Sequence, residues 1–451
     1  MNSAHLNVVD QVPQYLTLPT LDEVTQQTRD TLLRWPELAS VRPLGKSLAS
    51  ESIEMVSIGS GPLSVLLVGT PHPNEAIGLL TIEYLIQAVV EHQSLRDDYT
   101  WHFVKSIDPD GLRLNESWLS KPADMAAYLG GFYRPAFTEQ GEYTFPLDVP
   151  GYRFDKEVPE NLAYREAIRL ARPHLVVPLH NSDFGGGVFF VSGDVPHLAK
   201  ALSELPAKFE LSVETTGDLV FGTQDLAPGV SRMMDTPEPI IPGDDDRFWR
   251  AGRSCLSYCS QEGALGLIPE APYWHAAELG EEAGRVHAHI VESWTSDRVK
   301  LLEQYLPHLI DFAKGQDFRF VNALKESQRM GERESGFLMT SAHAESGVAL
   351  DIARTFRLYT LRSTAMLRRL AQRIAERGDT DDDCAFKAAA AASSYIDRAL
   401  ADPLLRDGIV AFPLQSTVRV QVQAIFHGLE AARIDLERAR GELSGPGKLY
   451  D

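Results

Sequence analysis

The sequence has only three cysteines, Cys255, Cys259 and Cys384, in 451 residues. That is too few for a disulfide framework and matches the cysteine usage of a reducing compartment. Cys255 and Cys259 are spaced to share one helix face, but no second pair accompanies them, so they do not read as a zinc knuckle. Basic residues are scarce as well: 43 Lys and Arg stand against 63 Asp and Glu, for a formal net charge of -20. A surface of that sign opposes a phosphate backbone and excludes nucleic acid as the expected partner. No stretch approaches the roughly eighteen uninterrupted apolar residues of a membrane span. The N-terminal MNSAHLNVVDQVPQYLTLPT has neither a basic n-region nor an apolar h-region, so the expectation is a cytoplasmic protein without membrane association.

What is present is the 44% hydrophobic and 24% charged content of a soluble globular chain. The length predicts a large domain of catalytic size plus a smaller one. From about residue 52, strand and helix patterns alternate. Ser52 to Ile58, Leu63 to Val68 and Thr100 to Ile107 read as strands, and Ile77 to Glu91 as a helix. Residues 112 to 158 read as a long aromatic-bearing loop, and loops of that length inside a domain are usually functional. A helix from Glu160 to Ala171 and buried strands at Leu175 to Leu179 and Val188 to Val191 follow. This alternation implies a sheet covered on both faces. Beyond residue 320 the pattern is helical: Val348 to Arg377, Asp383 to Ala401 and Val418 to Leu443. We therefore divide the chain into residues 1–320, including an N-terminal extension over 1–50, and a helical domain over 321–451 that offers surfaces for self-association.

Chemistry is suggested first by VLLVGTPHPNEAIG, residues 65 to 78, where an apolar run ends in a glycine and His72 and Glu75 follow on a proline-stiffened loop. The spacing alone is uninformative, because His275/Glu278, His289/Glu292 and His427/Glu430 repeat it. Position is more telling, since ligands of open α/β sheets collect just beyond the carboxyl ends of strands. His180 ends the apolar run LVVPL in the same way. Two histidines and a glutamate with one position left to water are the usual ligands of a catalytic zinc. Glu270, closing the run ALGLIPE between two prolines, could move the proton of an activated water.

In order, His72-x-x-Glu75, Asp108-Pro109-Asp110-Gly111, Pro159-Glu160, the run Arg172 to His180 and the strand-end Glu270 resemble the zinc carboxypeptidases of the M14 type, the carboxypeptidase A-like funnelins, over roughly residues 50 to 300. The resemblance implies an α/β fold with a mixed, mainly parallel eight-stranded sheet flanked by helices. It also implies one Zn2+ held by His72, Glu75 and His180, with Glu270 as general base and acid. An arginine should stabilise the oxyanion; Arg134 is favoured over Arg113. The sequence departs from the family where a substrate carboxylate would be held. There Glu142-Tyr143-Thr144-Phe145-Pro146 stands in place of an Asn-Arg pair, while a second register would keep an arginine as Arg153. Glu142 and Tyr143 predict non-standard carboxypeptidase specificity, since a carboxylate there repels an ordinary C-terminus. Tyr258 and Tyr273 are candidates for the family's mobile tyrosine. The expected substrate is a small peptide or an acylated amino acid. Two alternatives stand beside the peptidase: an N-acyl amino acid deacylase of the succinylglutamate desuccinylase or aspartoacylase kind, and a binding scaffold that has lost its chemistry.

Overall fold

The computed structural model describes residues 3–193, 195–214, 223–233, 251–276, 285–338, 348–378 and 383–439. Among the described residues nine strands form the central sheet: β1 Ala39–Lys46, β2 Ser52–Ile58, β3 Leu63–Gly69, β4 Tyr99–Val104, β5 Leu175–Leu179, β6 Val188–Val191, β7 Thr223–Ala227, β8 Val230–Met233 and β9 Leu265–Glu270. Their spatial order is β1-β2-β4-β3-β5-β9-β6-β8-β7. The expected mixed sheet is present, but with nine strands rather than eight. Parallel pairs do not dominate: four junctions are parallel and four antiparallel.

The middle of the sheet follows from its apolar runs. All seven residues of β3 and all five of β5 are buried, as strands covered on both faces must be. Successive side chains point to opposite faces. Val65, Leu67, Val177 and Leu267 enter one apolar cluster, and Leu66, Val68, Val176 and Ile268 another. Helix α1 (Ile77–Glu91) covers the first face. Helices α2 (Pro159–Ala171) and α3 (Cys255–Gln261) cover the second.

The long helices of the C-terminal region among the described residues are α4 (Ala288–Ile310), α5 (Asp317–Leu338), α6 (Leu350–Arg377), α7 (Cys384–Leu400) and α8 (Leu414–Ala439). The expected boundary at 320/321 falls inside α5. Helix α8 lies on the first face of the sheet beside α1, and Val418, Ile425 and Phe426 share its apolar cluster. A Cβ at Gly428 would stand 3.0 Å from Leu267 Cδ2 and 3.1 Å from Leu175 Cδ2, so the helix backbone packs directly on these strand side chains. Residues 112–158 are more ordered than the sequence suggested. They contain a helix at Met125–Gly131 and a hairpin of Leu147–Val149 with Tyr152–Phe154. No helix among the described residues is long and apolar enough to cross a membrane.

Candidate metal centre

The carboxyl edge of the central strands brings the two histidines together. In the parallel β3–β5 pair, Gly69 stands opposite Leu179, so the His72 loop and His180 leave the sheet side by side. The chain turns sharply after β3: Thr70 takes a left-handed φ of 45° and its hydroxyl meets that of Ser106 at 2.6 Å. Helix α1 then starts against the end of β5. A Cβ at Gly78 would lie 2.7 Å from Leu179 Cβ, so only glycine permits that approach.

Other segments pin the His72–Glu75 loop. The Ala76 N–H donates to the Tyr273 hydroxyl, which in turn donates to the Asn74 carbonyl, both at 3.0 Å. The Ile77 N–H, left over at the start of α1, donates to Asn181 Oδ1 at 3.3 Å. Tyr273 is thus a buried brace of this loop. Tyr258 packs on Phe145, with ring centroids 4.6 Å apart.

Glu75 is the hub. Its Oε1 accepts from His72 Nδ1 at 2.8 Å and Arg134 Nη1 at 2.9 Å, and its Oε2 from His180 Nδ1 at 2.7 Å and the Asn181 N–H at 3.3 Å. On the far side of the imidazoles lies Glu142, its Oε1 3.0 Å from His180 Nε2 and its Oε2 3.3 Å from His72 Nε2. Each of His72, Glu142 and His180 brings a ligand atom within 4.8 Å of the other two. Two imidazoles therefore sit between two carboxylates, all four at most 4% exposed.

The charges divide unevenly. Burial, with the Arg134 guanidinium adding to it, lowers the His72 imidazole to about 4, so it is neutral at pH 7. For His180 burial acts the same way, but the charges of Glu142 and Glu75 outweigh it and hold that proton well above the ordinary range. Burial would raise both carboxyls, yet the imidazoles keep Glu75 well below and Glu142 below the ordinary carboxylate range. Two buried carboxylates thus face the two imidazoles and one guanidinium, and histidine nitrogens with carboxylate oxygens are the donor types that suit zinc once the imidazoles are deprotonated. Glu142 Oε2, buried without a hydrogen bond, is an acceptor such an ion would satisfy.

The structure brings together His72, Glu75, Arg134, Glu142, Tyr143 and His180. Tyr143 stacks on His72 with centroids 5.9 Å apart. Burial and the Glu142 charge push its hydroxyl well up, with the Glu270 charge adding more weakly. Glu270 is five residues beyond Leu265, and His180 five beyond Leu175, the residue that Leu265 pairs with. Arg113 is elsewhere, in a network with Asp22, Glu51 and Glu116. Arg153 is exposed and paired with Asp155 at 3.3 Å. The acids of Asp108-Pro109-Asp110-Gly111 are structural: Asp108 accepts from the Gly111 N–H, Asp110 from the Ser47 hydroxyl, and Arg319 of α5 lies against both. Of the other His-x-x-Glu pairs, His289/Glu292 lies on α4 and His427/Glu430 on α8, while Glu278 falls outside the described residues.

Sequence reasoning missed four contributors. Cys255 Sγ donates to Glu142 Oε1 at 3.1 Å. Gln421 of α8 donates to the His180 carbonyl at 2.8 Å and accepts from the Thr81 hydroxyl at 2.5 Å. Arg362 of α6 pairs with Asp183, three residues after His180. Glu326 of α5 accepts from the Phe137 N–H with both oxygens, at 3.1 and 2.9 Å. The one available signal was a polar residue on an otherwise apolar helix face, as at Gln421.

Residues 24–125 match the family model described as zinc carboxypeptidase. Over these residues the chain is similar to that family, and the matched segment takes in His72 and Glu75 but not His180 or Glu270. No curated protein matches. Among solved structures, a metallo-carboxypeptidase from Burkholderia cenocepacia is 16% identical, with a TM-score of 0.36 over 56% of this chain and 60% of that one. The carboxypeptidase A from Helicoverpa armigera is 14% identical, with a TM-score of 0.38 over 72% of this chain and 75% of that one. The chain thus spans about three fifths of the Burkholderia protein.

Proposed function

We propose that the chain is a zinc-dependent hydrolase that cleaves a peptide or amide bond in a small peptide-like substrate, with one zinc held by His72, Glu75 and His180. The observation that carries this reading is the convergence of His72 Nδ1 and His180 Nδ1 on the Glu75 carboxylate, at 2.8 and 2.7 Å, at the carboxyl edge of the sheet. When bound, zinc supplies a Lewis acid that acidifies a water and polarises a carbonyl.

The protein groups do the rest. Glu270, at the end of β9, takes the proton of the attacking water and returns it to the leaving nitrogen. Arg134 meets Glu75 through Nη1 and His72 through Nη2, and its side chain remains 22% exposed, so its remaining N–H groups would serve the developing oxyanion. Tyr143, in place of a carboxylate-binding arginine, supports non-standard carboxypeptidase specificity. The same replacement favours the second reading, an N-acyl amino acid deacylase, whose substrate presents an acyl group instead of a peptide chain.

A panel of free and amidated dipeptides and N-acyl amino acids tests both readings. Hydrolysis should vanish on chelation and return with zinc. Glu270→Gln should lower kcat by about 100-fold or more, because a general base typically contributes 10² to 10⁴. A loss under about tenfold would remove Glu270 from that role, and turnover of no substrate with zinc bound would favour a binding scaffold.

A further inference from the structure

Arg134 stands 2.9 Å from Glu75 and 3.1 Å from His72, and the backbone that carries it decides where its guanidinium can reach. That backbone leaves the short helix Met125–Gly131 in an extended conformation at Phe132. The last carbonyls of a helix have no partner within it. Here they are met from the C-terminal region. Arg369 of α6 donates through Nη1 to the carbonyls of Gly131 and Phe132, at 2.5 and 2.9 Å, and through Nη2 to that of Leu114 at 2.7 Å. Its neighbour Arg368 donates to the Leu129 carbonyl at 3.2 Å.

The side chains just before Arg134 are held from the same region. The Arg362 guanidinium covers the Phe132 ring at 4.6 Å. The Tyr133 ring lies 4.9 Å from that of Phe320 and 5.7 Å from the Arg319 guanidinium, both on α5. Asn115 donates to the Tyr133 carbonyl at 2.9 Å and accepts from the Tyr133 N–H at 3.1 Å. Because Arg369 also holds Leu114, next to Asn115, a single guanidinium joins both segments that fix the backbone before Arg134. This is a costly way to gain stability alone. The hydrogen bonds of Arg369 among the described residues all go to neutral carbonyls, and a buried charge is expensive unless it is paired. Burial, with the nearby Arg373 and Arg368 guanidiniums, lowers Arg369 to about 10.

We propose that Arg369 is a positioning residue for Arg134, so that the C-terminal helices set the guanidinium in place for the developing oxyanion. The inference rests on the hydrolase reading and on the part of Arg134 in it, and it gives the helical region a role in the reaction. A donor held in place beforehand costs no reorganisation when charge develops.

A double-variant cycle on kcat tests this, using the best substrate of the panel above and the full-length, zinc-loaded chain. Arg134→Met should lower kcat by about 100-fold, the loss typical of an oxyanion donor. Arg369→Met should lower it by about tenfold through misplacement of that donor, with KM and zinc content unchanged. In the Arg134→Met background the same change should cost less than about twofold more, since its effect passes through Arg134. A merely structural residue would cost the same in both backgrounds. That result, or native kcat in Arg369→Met, would overturn the inference and leave the hydrolase reading intact. If Arg369→Met does not fold, Arg369→Gln, which keeps an amide donor, takes its place in the cycle with the same criteria. No turnover by the zinc-loaded native protein, or native kcat in Arg134→Met, would instead overturn the reading on which the inference rests.

Discussion

Replacing Arg362 by methionine should destabilise the protein by about 3 kcal/mol, although the residue lies on a C-terminal helix outside the metal cluster. Arg362 Nη1 stands 2.9 Å from Asp183 Oδ2, with the two side chains 13% and 5% exposed. Removing one partner of a buried pair leaves an uncompensated charge and typically costs about 3–5 kcal/mol. The lower end applies here because the Tyr128 hydroxyl still donates to Asp183 Oδ1 at 2.6 Å. The guanidinium also covers the Phe132 ring at 4.6 Å, a contact worth about 0.5–1 kcal/mol that methionine only partly replaces. The assay is urea unfolding with the slope held constant, on the native protein, Arg362→Met, Asp183→Asn and the double variant. The double variant should be more stable than the sum of the single losses predicts, with a coupling of about 2 kcal/mol. A loss below about 1 kcal/mol and a coupling near zero would refute the idea that α6 fixes the loop after His180 through this pair.

The other predictions concern neighbouring braces. Burial raises the Glu326 carboxyl to about 7, with the Phe137 N–H opposing the change. The folded protein therefore holds this proton more tightly than the unfolded chain. The associated stability is complete below about pH 4.5 and is lost as pH rises through 7, up to roughly 3 kcal/mol, since each tenfold gain in proton affinity is worth about 1.36 kcal/mol. Unfolding at pH 5 and pH 8 should show Glu326→Gln with a flatter profile than the native protein; identical profiles would contradict this. Tyr273→Phe removes an acceptor for Ala76 and a donor to Asn74. It should cost about 1–3 kcal/mol in thermal or urea unfolding and weaken zinc retention.

The sequence reveals the sheet's centre and the strand-end residues for a physical reason. A strand buried on both faces must be a continuous apolar run, and β3 and β5 are such runs, each ending where a site residue begins. Edge strands carry no such constraint. β1 is half-exposed to exposed along its length, and β7 has no buried residue, so neither has a pattern to read. Helix α8 was legible as a helix but not as the cover of the sheet, because an apolar face looks the same whatever packs on it. Glu142 was legible as a departure from the family and illegible in its placement. Its approach to both imidazoles depends on a turn held by Gln140 and Asn161, and these contacts leave no periodic trace.

The account's central claim is that His72, Glu75 and His180 form a zinc centre. The most direct measurement is the zinc content of the purified, zinc-equilibrated chain after gel filtration, alongside His72→Ala, His180→Ala and His275→Ala. The account predicts one zinc per native chain, the same for His275→Ala, and loss of the metal in the other two. A native chain without zinc, or retention in His72→Ala and His180→Ala, would contradict it.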